Sequence, residues 1–414
     1  MTAAGDATAA GATGLRIPAR RVERALLWLL AFSGALALIE PSPYEGMFVV
    51  TLAGFIATGG IRLPRLVALL AVLLLAFNLG GVFSLIPYLD RPKSVTFVAI
   101  SIYLMVTAIF YATVPAQDGE ARLDALRRGF VASAWVAAAA GIAGYFNIAG
   151  LGSIFSLYGR ASGTFKDPNV LGPYLTLAVA FMVQDIMAGR GRLIVSLLKL
   201  SVPLLALLLT LSRGAWINGV GSVGLLVLLT YLTSRSSRQR ARLAGQVAML
   251  AAGVVVVLLV ALSSGEIGEL VAQRAGLQSY DTGPTGRFGG QIRSIPRLLE
   301  LPNGFGPLRF SSEMYGIAPH NVFLNAFASY GWLGGISYLV LILTSFVVGW
   351  RTVLRHWPLQ YHFLPVWSVF FITALQGVQI DSDHWRHFYL LLGLVWGIAA
   401  TVPRDERARR AFAP

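Results

Sequence analysis

Four short clusters carry most of the chemistry this chain can offer. The first reads RASGTFKDPN, from Arg160 to Asn169. Asp167 can cap a helix that Pro168 begins. The free N–H groups of that first turn, with Asn169 on it and Lys166 and Arg160 beside it, form a place for an anion. An ordinary capped loop with two interfacial cations accounts for the spacing equally well. The second cluster, Ser212-Arg213-Gly214, pins an arginine between two apolar runs; either a snorkelling side chain or an anion site explains it. The third is APHNVFLNAF, where Pro319, His320 and Asn321 sit between a long polar stretch and an apolar run. Histidine titrates near neutrality, with an unperturbed pKa of about 6.5, which makes His320 a candidate proton acceptor, although a lone histidine is more often structural. The fourth is DSDHWRH, with Asp381, Asp383, His384, Arg386 and His387. Two histidines and two aspartates could ligate a metal, but spacing shows no second shell, and a polar lid or acceptor-contacting loop is the simpler reading. No metal is expected.

The elements that must position these residues are apolar helices. Of 414 residues, 56% are hydrophobic and 13% charged, half the roughly 25% of a soluble domain. Mean hydropathy is +0.68. Runs of around 20 apolar residues with basic punctuation predict an all-α polytopic membrane protein. About twelve spans are expected, near 25–40, 46–61, 66–88, 94–115, 129–149, 170–187, 193–211, 214–233, 243–263, 327–350, 363–380 and 387–403. They form one membrane domain over 25–403, between a disordered cytoplasmic tail (1–24) and a cytoplasmic C-terminal tail (404–414). With the N-terminus inside, 21 of the 33 basic residues fall on the cytoplasmic side, 11 outside, and Lys199 within a span. The net charge of +14 is then mostly topology, and nucleic acid is not an expected partner. Zero cysteines exclude disulfides, thiolate metal sites and a cysteine nucleophile.

One connection, about 264–320, is far longer than ordinary loops and is expected on the outer face. Within it, Phe288, Ile292, Ile295 and Leu299 recur at helical spacing, while Arg293 and Arg297 share another face. This predicts an amphipathic helix over 287–299 resting at the membrane surface.

Outward arginines, a helix N-terminus and one histidine fit a lipid-linked phosphate or pyrophosphate, because guanidinium forks bind phosphate oxygens in pairs. If a sugar sits on that pyrophosphate, arginines can stabilise the leaving group, and a base such as His320 can activate an attacking hydroxyl. A glycosidase would need two facing carboxylates, which no spacing here supports.

RASGTFKDPNVLGPYL, LTLSRGAW, TGRFGGQIRSIPRLLELPNGFGP and APHNVFLNAFASYGWLGG follow one another in an order that resembles the bacterial O-antigen ligase and O-antigen polymerase superfamily of GT-C-type membrane glycosyltransferases. The motif similarity covers about Arg160 to Gly335. It implies an undecaprenyl-pyrophosphate-linked glycan donor, a sugar acceptor on lipid A core or growing polysaccharide, and inverting transfer without metal or cofactor at the periplasmic face of the inner membrane. Carried over, Arg160, Arg213 and Arg287, with Lys166, would bind pyrophosphate, and His320 would activate the acceptor. Arg293 and Arg297 lie on the same predicted helix as Arg287. Asn321, Asn169, Arg293, Asp383 and His384 would support them or face the acceptor, although DSDHWRH lies outside the matched pattern. Ligase and polymerase share these motifs. A lipid-linked-sugar transporter is the rival from another class, but transporters place ionisable groups near the midplane, whereas Asp185 and Lys199 lie toward the inner ends of their spans. A structural subunit of an envelope assembly is the third option.

Overall fold

The computed structural model describes residues 18–403 apart from 264, 277–282, 284–285, 315 and 317. The tails 1–17 and 404–414, and Asp281 and Pro284 of the long connection, lie outside the described residues. The chain is helical: α1 (Ala19–Ser33), α2 (Pro43–Ala57), α3 (Arg65–Leu85), α4 (Pro92–Thr113), α5 (Gly119–Tyr145), α6 (Gly152–Phe155), α7 (Pro168–Met187), α8 (Leu193–Leu209), α9 (Arg213–Thr233), α10 (Ser237–Leu262), α11 (Gly265–Ala275), α12 (Arg287–Glu300), α13 (Phe310–Glu313), α14 (Val322–Val353), α15 (Gln360–Gln376) and α16 (Arg386–Ala400). One two-residue hairpin, Ser156–Leu157 against Arg160–Ala161, interrupts it.

A helix lies at each of the twelve segments read from hydropathy. Six of them, α3, α4, α7, α9, α10 and α14, are long and apolar enough to cross a membrane. Their outer faces are apolar too: on α3, Leu69, Val72 and Leu75 point away from the protein, opposite buried Leu70, Leu74 and Phe77. A helix hydrophobic all round needs an apolar solvent. The expected tail 1–24 ends sooner than read, because α1 starts at Ala19 behind Pro18. Its Glu23 is buried against Arg122 of α5 at 2.6 Å. Arg122 also donates to the Gly60 carbonyl, so this cation, read from the sequence as one more topology charge, is a staple between helices. Among the described residues the long connection holds three short helices, α11, α12 and α13, of which the amphipathic one is the stretch read over 287–299.

Helix α7 sits at the centre, packed by α5, α8, α9 and α15 and buried on all sides. Close crossings elsewhere use glycine. Gly393 and Gly397 of α16 face Ala108 and Ala112 of α4, with backbone carbonyls 2.3 and 2.4 Å from where a Cβ would stand. This is small-xxx-small packing. Helix α14 breaks at Gly331, with φ 65° and ψ −169°. The break lets the Ala328 carbonyl accept from the N–H groups of Phe305 and Gly306, while Trp332 N–H donates to Pro302. The end of the bundle where α7, α9, α14 and α16 begin is called the upper end below.

Candidate functional site: the upper rim

Asp167 caps α7, accepting from Asn169 N–H at 2.8 Å. The Asn169 side-chain oxygen accepts from Arg160 Nη2 at 2.8 Å and from Ser212 Oγ at 2.9 Å. Arg160 Nε donates to the Thr210 carbonyl at 2.7 Å. The first two sequence clusters are therefore one structure: the chain reverses between α8 and α9 through Leu211, held at φ +47°, and lays Ser212 and Arg213 beside the start of α7. A buried, non-glycine residue in the left-handed region costs about 1–2 kcal/mol, so the turn is held by its surroundings. Arg213 is half-buried and donates to the Gly276 carbonyl at 2.9 Å, reaching the end of α11.

The third and fourth clusters also merge. Backbone N–H groups of His320 and Asn321 each donate to Asp381, at 3.0 Å to Oδ2 and 3.0 Å to Oδ1. Arg287 and Gln291 of α12 donate to the His320 carbonyl, both at 3.3 Å, and Gln291 to that of Pro319 at 2.9 Å. Asn321 caps α14 by accepting from Phe323 and Leu324 N–H. His320 itself stands at φ +41° with its side chain exposed. One turn into α14, Asn325 donates to Asp383 at 3.2 Å. His384 pairs with Asp383 at 3.1 Å and reaches the Phe97 carbonyl at 3.0 Å. The DSDHWRH stretch, left without an assigned role by the motifs, is thus a latch that holds the His320 junction in place. No group of three or more metal-ligating side chains occurs among the described residues.

The two halves share one rim. Gly214, next to Arg213, leaves Gln376 Nε2 only 2.7 Å from a would-be Cβ, and the following Gly377 accepts from Val322 N–H at 2.8 Å. The starts of α9 and α14 thus both meet the end of α15. On α12 the buried face is Gly290, Gln291, Ser294 and Leu298, set against α14, while Phe288, Ile292, Ile295 and Leu299 are exposed. That apolar face is turned outward, as expected for a helix lying at a membrane surface. Arg293 is exposed there, and Arg297 is engaged by Glu313 and the Glu313 carbonyl, which leaves Arg287 as the α12 arginine that touches the His320 junction.

A cavity of about 790 Å³ opens beside this rim, between α1, α2, α4, α5, α7 and α16. Lys166, Asp167 and His384 line it; Arg160, Arg213, Arg287 and His320 do not. Two ion pairs cross its mouth, Lys166–Glu40 at 2.9 Å and Arg386–Glu45 at 2.5 Å. The wall is mostly apolar, yet His387 Nε2 and the Tyr103 hydroxyl lie buried in it without a hydrogen-bond partner. Sequence reasoning missed Tyr44, Tyr103 and Tyr174 here, since tyrosines scattered through apolar helices carry no spacing signal.

Burial pushes the Asp381 carboxyl up to about 7, and the Asp383 carboxylate adds to this against the two N–H donors. Burial alone would lower His384; the Asp383 carboxylate beside it outweighs that and holds it above its ordinary value. A carboxyl whose folded pKa exceeds its unfolded value stabilises the fold while protonated, fully so below about 4, and that contribution is lost as pH rises to about 7. Melting temperature in detergent should therefore fall between pH 5 and pH 8, and Asp381→Asn should flatten this slope. An unchanged slope in the variant would assign it elsewhere.

No protein-family model matches the chain, and no curated protein sequence matches it. The likeness to the O-antigen ligase superfamily rests on the quoted motifs and their order.

Proposed function

We propose that the protein is a multi-pass glycosyltransferase of the bacterial inner membrane, with twelve spans, both termini cytoplasmic and the upper rim facing the periplasm. It transfers a glycan from an undecaprenyl-pyrophosphate carrier to a sugar hydroxyl, on lipid A core or on growing polysaccharide. The observation that carries this reading is that the cluster of Arg160, Asn169, Ser212 and Arg213 and the cluster of Arg287, Asp381 and His320 lie at the same end of the bundle, each beside the end of α15. Arginine forks and the N-terminus of α9 can hold a diphosphate and stabilise its charge as the glycosyl bond breaks. The His320 imidazole can take the proton of the attacking hydroxyl. The attacking oxygen then bonds to the anomeric carbon as the carrier diphosphate leaves.

The adjoining cavity has a different character. Glu40, Glu45 and Asp167 are set against Lys166 and Arg386 at its mouth, so it has no excess of cations to attract a diphosphate. Apolar walls with orphaned polar atoms suit a hydroxylated amphiphile, the chemistry of a glycolipid acceptor.

Reconstitution in proteoliposomes with a purified lipid-linked oligosaccharide tests the reading. Lipid A core and a second lipid-linked repeat are offered in parallel, and product mass separates ligase from polymerase. Donor moved across the bilayer with no product formed would replace transfer by transport.

A further inference from the structure

A second pocket, of about 320 Å³, lies at the opposite end of the bundle, between the α7–α8 turn and the start of α10. The turn is left-handed at Gly189 and Gly191, with φ +69° and +87°. Arg242 of α10 lies over Gly189 so closely that a Cβ there would stand 2.1 Å from its Nη2. Arg190 stacks on Tyr361 at 3.9 Å from the ring centroid. No carboxylate lines the pocket, and Asp185 at the end of α7 is already held by Arg127 at 2.5 Å and by the Tyr361 hydroxyl. Neither Arg190 nor Arg242 forms an ion pair among the described residues, so two guanidinium groups face one pocket uncompensated. Gln246 adds a second signal. Its Nε2 donates to the Ile186 carbonyl at 2.8 Å, while its Oε1 is buried without a donor.

A ligand that answers both features carries a phosphate and a hydroxyl. We propose that this pocket binds the headgroup of an anionic glycerophospholipid, with the phosphate between Arg190 and Arg242 and a headgroup hydroxyl donating to Gln246. The surroundings favour a lipid over a soluble phosphate. Helix α10 exposes Val255, Val256, Leu259 and Val260 and meets the bundle sparsely, so a lipid seated at its foot would lie against an apolar helix face. Arg192, Arg235, Arg238 and Arg240 add positive charge around the same end. This site does not depend on the transferase reading.

Native mass spectrometry of the full-length protein, offered phosphatidylglycerol and phosphatidylcholine in equal amounts, tests it. Phosphatidylglycerol should be retained preferentially and should raise the melting temperature. Arg190→Gln and Arg242→Gln should each lower its retention about fivefold. Gln246→Leu should reduce discrimination between phosphatidylglycerol and phosphatidic acid. Equal retention of phosphatidylcholine by the wild-type protein would overturn the proposal whatever the variants do. So would glycerol 3-phosphate raising the melting temperature as far as phosphatidylglycerol, since the site would then belong to a soluble ligand.

Discussion

Asparagine in place of His320 should leave the protein folded and lower glycan transfer by about 10²–10⁴, the range typical of a lost general base. Asparagine is the informative replacement because residue 320 stands at φ +41°, a conformation that asparagine and histidine tolerate better than other side chains. The backbone bonds to Asp381, Arg287 and Gln291 do not involve the imidazole and survive the change. Alanine would add backbone strain of about 1–2 kcal/mol and confuse loss of fold with loss of chemistry. Product formation in proteoliposomes and a melting curve in detergent together decide the matter. A folded His320→Asn variant that transfers at the wild-type rate would remove His320 from the reaction.

Much of this site is legible in the sequence, and the part that is not has a physical cause. Asp167 as a cap, Pro168 at a helix start and the helix over 287–299 are local features, set by residues a few positions apart. The union of Arg160 with Ser212 through Asn169, and of His320 with Asp381, depends on which helices pack side by side. Hydropathy says nothing about that, because α5, α7, α8 and α9 present similar apolar faces. The same blindness hid the Glu23–Arg122 staple, since Arg122 reads as one more inward cation. Helix α11 escaped notice because GEIGELVAQRA is too short and polar to register as a span.

A large stability effect is expected at Gly393. An alanine there would place its Cβ 2.3 Å from the Ala108 carbonyl and 2.8 Å from Tyr111 Cβ. The first of these is backbone within α4 and cannot rotate away, so the two helices must separate. We expect a loss of about 3 kcal/mol, at the upper end of overpacking costs. Gly224 of α9 supplies the control: it is also helical, but nothing lies within 4 Å of a Cβ there. Gly224→Ala should be neutral or gain about 0.5–1 kcal/mol from helix propensity. Denaturant titration in mixed micelles compares the two. A Gly393→Ala variant as stable as Gly224→Ala would show that α4 and α16 slide freely at this crossing.

The interruption of α14 bears on how the chain can be shortened. Where a helix stops bonding to itself inside a packed bundle, its bared carbonyl groups must find donors or cost about 1–3 kcal/mol each. Residues 305 and 306 supply those donors to Ala328, and Trp332 repays the debt at Pro302. A version trimmed to its hydrophobic segments, with 286–320 exchanged for a flexible linker, would strip the partners from the break in α14. The stretch between α11 and α14 is part of the scaffold, and domain-dissection strategies that discard it would be cutting into the bundle.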